Sequence, residues 1–177
     1  MDKLPPQNIE AEKSLLGCLM IDPQAILKIV DFLLTRDFYK TVHQKIYQAA
    51  LDLFEKRDQI DILTVAARLK ENSALDDIGG SAYLTSLVNA VPTATHILNY
   101  AKIVQQKRIL RDLIESSQEI EQLATQETED VDVLMDQAEK RIFNIAQKSM
   151  THSPLAIALW KSFLVKLVAI TSLSSFD

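Results

Sequence analysis

Glycine is scarce in this sequence, with three residues among 177, at Gly17, Gly79 and Gly80. So few leave little material for tight β-hairpin turns or a glycine-rich phosphate loop, and no Gly-Lys dipeptide is present to complete such a loop. Cysteine is reduced to Cys18. A lone cysteine excludes an intramolecular disulfide and a cysteine-rich zinc site, and it suits a reducing compartment. Its place in an apolar helical pattern reads as a buried, inert thiol. No block of Lys and Arg interrupts a chain of net charge −5. Nonspecific affinity for nucleic acid comes mainly from neutralising phosphates, so the chain alone is a poor candidate for tight DNA binding. The N-terminus lacks a basic region followed by an apolar run, and no secretory signal is read there. The apolar stretch 155–170 carries Lys161 and Lys166 and is too short and too charged for a membrane span, so no membrane association is expected.

Hydrophobic residues make up 47% of the sequence, enough for a real core, and they recur with helical period. Between Pro92 and Pro154 there is neither proline nor glycine. This stretch is expected to form two long helices, over 97–125 and 131–148, with the polar run 125–130 turning the chain back between them. In the first arm Ile103, Leu110, Leu113, Ile114, Ile120 and Ala124 form one stripe, while Tyr100, Ala101 and Val104 continue a second face. In the second arm Val131, Leu134, Ala138, Ile142 and Ile145 follow the spacing of a seam, leaving Val133, Phe143 and Ala146 on other faces. Two helices bury one stripe each against each other. The surplus apolar positions therefore need another partner, either the rest of the chain or a second copy.

Ahead of the hairpin the pattern breaks into short helices. Asn8 caps a helix to about Ile21, with a stripe of Ala11, Leu15 and Cys18 or Leu19. Asp22-Pro23 starts a second helix carrying Ile26, Ile29, Val30 and Leu33. The connection 35–39 puts Phe38 and Tyr39 into the core. A longer helix over about 41–56 turns Val42, Ile46, Ala49 or Ala50, and Leu53 inward. Asp61 caps a helix over 62–70 with Leu63, Ala66 and Leu69 at the buried spacing, and Ser81 caps one to about Asn89. The expected fold is all-α. A compact multi-helix head spans 1–95, a long antiparallel helical hairpin 96–150, and a tail 151–177.

No catalytic, cofactor or metal constellation emerges. Gly79-Gly80 is followed by Ser81 and reads as a turn with positive φ angles. His43, His96 and His152 lack a second histidine at metal-ligand spacing, and His43, on a helix beside Tyr47, reads as a packed or solvent-facing imidazole. The acidic pairs Asp76-Asp77 and Glu129-Asp130 fall in loops, where solvation explains them.

The opening Leu4-Pro5-Pro6-Gln7-Asn8-Ile9-Glu10-Ala11-Glu12, continuing through Leu15-Leu16-Gly17 to Asp22-Pro23, resembles the start of bacterial and plastid replicative DNA helicases of the DnaB family. Further matches follow in the family's order: Asp37-Phe38-Tyr39, His43, Ile46-Tyr47, Asp61, Leu75, Gly79-Gly80, Tyr83-Leu84, Leu87, Pro92, Tyr100-Ala101, Val104, Lys107 and Arg111. The second arm adds Leu134, Ala138-Glu139, Ile142 and Ile145-Ala146-Gln147. No single motif is specific, but the ordered set is.

The resemblance implies an N-terminal domain whose hairpins pair between subunits, forming dimers or a trimer of dimers in a collar above a hexameric ring of motors. It also implies docking of primase and of a helicase loader, and a bacterial cytoplasmic or plastid stromal setting. Family members use ATP and Mg in the motor, and contact DNA through it. No Walker A loop is found here, so the chain as it stands is expected to carry no cofactor and no enzyme activity. Candidate self-association residues are Ile103, Leu110, Leu113, Ile114 and Ile120 on the first arm and Leu134, Ala138, Ile142 and Ile145 on the second. Leu155, Leu159 and Phe163 faintly resemble the family's linker helix in spacing, and with Leu167 and Ile170 they define an apolar face. The expected function is a noncatalytic assembly and docking segment of a replicative helicase. The alternative is a trans-acting regulator that co-assembles with the full-length helicase.

Overall fold

Asn8 accepts a hydrogen bond from the Ala11 N–H at 3.0 Å and starts α1, Ile9–Ile21. Ala11, Leu15, Leu16, Cys18, Leu19 and Met20 are all buried, together with Glu12 and Gly17. A helix apolar on most of its circumference belongs inside, and α1 is the central element of the head, packed against the helices that follow. The computed structural model describes residues 4–91, 93–126 and 130–150, and every regular element among them is helical. The expected stop at Pro92 and the tail, with Leu155, Leu159 and Phe163, lie outside the described residues.

Asp22 caps the next segment by accepting from the Gln24 N–H at 3.0 Å. The helix expected there is a 3-10 turn, Pro23–Lys28, followed by tight turns. Ile26, Ile29 and Val30 are β-branched and crowd a regular helix, and the short run never propagates. Ile26, Ile29 and Leu33 still reach the core. A further 3-10 turn, Thr35–Asp37, leads to Phe38, fully buried beside the Tyr47 ring at 5.0 Å between centroids.

Helix α2, Thr41–Lys56, and helix α3, Ile62–Glu71, pack together. Asp61 caps α3 as expected, accepting from the Thr64 N–H at 2.9 Å while Thr64 Oγ1 accepts from the Asp61 N–H at 3.0 Å. The buried face of α3 differs from the expected one. Leu63 is 80% exposed, and Val65 takes its place with Leu69. The apolar residues Ile62, Leu63, Val65, Ala66 and Leu69 cover more than one face of a short helix, so periodicity alone left two rotational settings open.

Both helices close on a left-handed residue. Arg57 has φ 62°, with Asp58 N–H donating to Leu53 O and Arg57 N–H to Phe54 O. Ser73 has φ 53°, with Ala74 N–H donating to Leu69 O and Ser73 N–H to Lys70 O. This paired bonding is the Schellman end, where glycine is the usual left-handed residue. An L-residue in that region costs roughly 1–2 kcal/mol, of which glycine's extra unfolded-chain freedom offsets about 0.5–1 kcal/mol. Arg57→Gly and Ser73→Gly are each expected to stabilise the fold by about 0.5–1 kcal/mol, read from urea denaturation midpoints; a loss at either site would contradict this.

Gly79 (φ 94°) and Gly80 (φ 71°) make the expected positive-φ turn into α4, Gly80–Asn89. Ser81 therefore lies inside the first turn, and Gly79 occupies the cap position. Helix α4 crosses α1 closely at Gly17, where a Cβ would lie 2.3 Å from the Leu87 carbonyl oxygen and 2.9 Å from Val91 Cγ2. Helix α5, Ile97–Gln126, and helix α6, Val131–Met150, follow. The start of α5 belongs to the head core, since Ile97, Ala101 and Val104 are buried in it. Two compact units divide between Asp112 and Leu113.

Candidate functional site

The first unit holds a polar chain that ties its helices together. Glu12 on α1 is 2% exposed and His43 on α2 is 0% exposed. Glu12 Oε1 accepts from the Tyr39 N–H at 2.6 Å and Oε2 from the Lys40 N–H at 3.4 Å. His43 Nδ1 lies 2.6 Å from Glu12 Oε2, and His43 Nε2 lies 2.7 Å from Tyr83 Oη on α4. A carboxylate only accepts, so Nδ1 carries a proton. With a neutral ring, Nε2 then accepts from the Tyr83 hydroxyl. Burial pushes the Tyr83 phenol above its ordinary value, so it keeps its proton. The arrangement joins α1, α2 and α4 and gives the Tyr39 and Lys40 N–H groups, His43 Nδ1 and the Tyr83 hydroxyl an acceptor each. It resembles a catalytic relay only in connectivity, because its carboxylate and imidazole are closed to substrate.

Arg111 on α5 makes a second tie. Its Nη1 donates to Pro6 O at 2.8 Å and its Nη2 to Asp37 O at 2.7 Å, with the guanidinium 5.6 Å from the Tyr39 ring centroid. A planar guanidinium suits two carbonyls and an aromatic face at once, a geometry lysine lacks. The N-terminal arm and the Thr35–Asp37 turn are thereby fixed to α5. Burial pushes the Asp37 carboxyl above its usual range, opposed by the Leu34 N–H that donates to it at 2.8 Å. Cys18 is buried, and burial raises its thiol, which makes it a poor nucleophile. Among the described residues no group of His, Cys, Asp and Glu is placed to hold a metal ion. None of the helices among them is long and apolar enough to cross a membrane.

The sequence-predicted surface residues fall into distinct groups. Ile103 is half-buried and packs on the head core. Leu110, Leu113 and Ile114 share one face of α5 and are exposed, Ile114 at 45%. Ile120 on α5 and Leu134 and Ala138 on α6 are half-buried, and Ile145 is buried. Ile142 is 54% exposed on α6, and Val131, Met135 and Phe143 on the same helix are exposed as well. Within the second unit Arg141 pairs with Glu119, joining α6 to α5. A shallow groove of about 630 Å³ runs along α6, lined by Asp136, Glu139, Lys140, Ile142, Phe143 and Ala146. Large apolar side chains are thus left exposed on both α5 and α6.

Sequence reasoning singled out these positions by counting surplus apolar residues; the structure leaves Leu110, Leu113, Ile114 and Ile142 exposed and the others half-buried or buried. The same reasoning did not find the Glu12–His43–Tyr83 chain. Its members are 31 and 40 positions apart, and the one local signal was a glutamate on the apolar side of α1. Nor did it single out Gly17 as a helix-crossing point, although a glycine inside a helical pattern is a signal of close approach.

The model of the DnaB-like helicase N-terminal domain family matches residues 4–106. The chain is 43% identical over 150 residues to the replicative DNA helicase DnaC of Bacillus subtilis (strain 168), covering 85% of this chain and 33% of that protein. It is 39% identical over 147 residues to the replicative DNA helicase DnaB of Geobacillus stearothermophilus, covering 83% of this chain and 32% of that protein. The chain thus spans about a third of the length of these relatives. Among solved structures, the N-terminal domain of DnaB helicase from Mycobacterium tuberculosis matches with a TM-score of 0.75 and 37% identity, over 80% of this chain and 99% of that one. A DnaB-like replicative helicase, studied with its interactions with primase, matches with a TM-score of 0.67 and 26% identity, over 80% of this chain and 31% of that one. The all-helical fold, the ordered sequence matches and the family model agree: the chain belongs to the DnaB-like helicase N-terminal domain family.

Proposed function

We propose that this chain is a noncatalytic assembly and docking unit of a replicative DNA helicase. Its head carries a hairpin that joins subunits into dimers and into the collar of a hexamer, and the assembled surface receives primase or a helicase loader. The observation that carries this reading is the exposure of large apolar side chains on both helices, Leu110, Leu113 and Ile114 on α5 and Ile142 on α6. Burying such side chains stabilises association by roughly 1.5–3 kcal/mol each before the costs of ordering. The relative studied with primase supports the docking part. The noncatalytic part of the reading applies to the matched segment, which belongs to an N-terminal domain family and covers about a third of the relatives' length. The bacterial relatives and the lone buried Cys18 support action in a bacterial cytoplasm.

Light scattering after size exclusion, with and without the C-terminal domain of primase, tests both parts together. A multiple of the chain mass that rises further with primase is expected. A single-chain mass unaffected by primase would overturn the reading, and ATP hydrolysis by the pure chain would contradict its noncatalytic part.

A further inference from the structure

The chain between the Thr35–Asp37 turn and α2 is extended and belongs to no regular element, with φ −70° and ψ 140° at Phe38 and φ −77° and ψ 127° at Lys40. Side chains from three helices meet its backbone groups instead. Glu12 of α1 accepts from the Tyr39 and Lys40 N–H groups, Gln44 Nε2 of α2 donates to Phe38 O at 2.8 Å, and Arg111 Nη2 of α5 donates to Asp37 O. Tyr39 is held from two directions, its N–H by Glu12 and its ring by the Arg111 guanidinium. The other end of that guanidinium, Nη1, reaches Pro6 O across 105 positions. Among the described residues this hydrogen bond ties residues 4–7 to the rest of the chain, and Leu4 and Pro5 ahead of it are exposed. All of these groups belong to the first unit.

One guanidinium therefore closes on two separate pieces of chain, and the piece it shares with Glu12 leads into the Glu12–His43–Tyr83 chain. We infer that residues 4–7 form a strap with a fastened and a released state, coupled through Arg111 and the segment 37–40 to the polar chain that joins α1, α2 and α4. With Pro6 O withdrawn, Nη1 turns to water, and the guanidinium loses the second carbonyl that fixes its plane against Asp37 O and the Tyr39 ring. Tyr39 then keeps only the Glu12 side of its hold, and its opening lets water reach the carboxylate that orients His43. Pro5-Pro6 stiffens the strap, so it leaves its seat as a unit rather than residue by residue. Coupling of this kind is reciprocal, and loosening the Glu12 side also favours the released strap.

Amide hydrogen exchange of the full chain, read residue by residue by NMR, tests this against a chain lacking residues 2–7, in which the strap is permanently released. The Tyr39 and Lys40 N–H groups are expected to exchange about tenfold faster in the shortened chain, while the Val65 and Leu69 amides of α3 keep their protection. Arg111→Lys keeps the charge and the strap but loses the planar grip on two carbonyls. It is expected to speed the same two amides, and combining it with the shortening adds nothing further. The reverse direction is read at Gln7, whose backbone order parameter is expected to fall in Glu12→Gln. Unchanged exchange at Tyr39 and Lys40 overturns the coupling, and so does equal acceleration across α3, which marks a general loss of stability. A Gln7 order parameter indifferent to Glu12→Gln overturns it as well. If the shortened chain does not fold, Arg111→Lys and Glu12→Gln decide by the same criteria.

Discussion

Replacing Glu12 with alanine is expected to lower folding stability by about 4 kcal/mol, read from urea denaturation. The carboxylate accepts from the Tyr39 and Lys40 N–H groups and from the His43 ring, all around a site that is 2% exposed at Glu12 itself. Alanine leaves these donors buried without acceptors, and each unsatisfied donor costs about 1–3 kcal/mol. A typical domain is stable by roughly 5–15 kcal/mol, so this one change removes a large share of it. Glu12→Gln separates the lost hydrogen bonds from the lost side-chain volume. Its carbonyl oxygen still accepts from the backbone, and its amide can donate to Nδ1 if the His43 ring takes the other tautomer and donates from Nε2 to the Tyr83 hydroxyl. The glutamine variant is therefore expected to cost about half as much or less. Equal losses for alanine and glutamine would show that the polar chain does not hold the head together.

Gly17→Ala has the second-largest expected effect, and here two principles predict opposite signs. Helix propensity alone favours alanine over glycine by about 1 kcal/mol in the interior of α1. Packing opposes it, since the new Cβ would sit 2.3 Å from the Leu87 carbonyl oxygen, a backbone atom that α4 holds in place. Overpacking of a rigid contact costs about 1–3 kcal/mol, and a backbone clash lies at the upper end, so the net expectation is a loss of about 2–3 kcal/mol. Gly80→Ala is the comparison. No atom lies within 4 Å of its added Cβ, but its φ of 71° strains any L-residue, and a smaller loss of about 1 kcal/mol is expected from backbone alone. A stabilising Gly17→Ala would mean that α1 and α4 separate freely at this crossing.

These two sites also mark where sequence reading stopped. The caps at Asn8, Asp22 and Asp61 were legible because a cap acts within a few residues of its own helix. The long helices α5 and α6 were legible because no breaker interrupts them. The extent of the head was less so. Ile97, Ala101 and Val104 stand at helical spacing, and that spacing reads equally well as hairpin seam or as core; only the fold places them with the head. Leu63 and Val65 show the same ambiguity at smaller scale. The Glu12–His43–Tyr83 chain was invisible for a different reason, because long-range polar contacts leave no periodic trace in a single sequence. Of the candidate surface, Leu110, Leu113, Ile114 and Ile142 were found by an excess of apolar positions, and their exposure in the structure makes them available to a partner.

The molar mass of the full chain in solution, compared with that of Ile114→Asp, is the most direct measurement. Ile114 is exposed, so the aspartate should leave the helical circular dichroism and the denaturation midpoint of the head unchanged. The wild type is expected at two or more chains of 19.9 kDa and the variant at a single chain. A wild-type mass of one chain across the micromolar range, or an oligomer untouched by the aspartate, would contradict self-assembly through this face of α5.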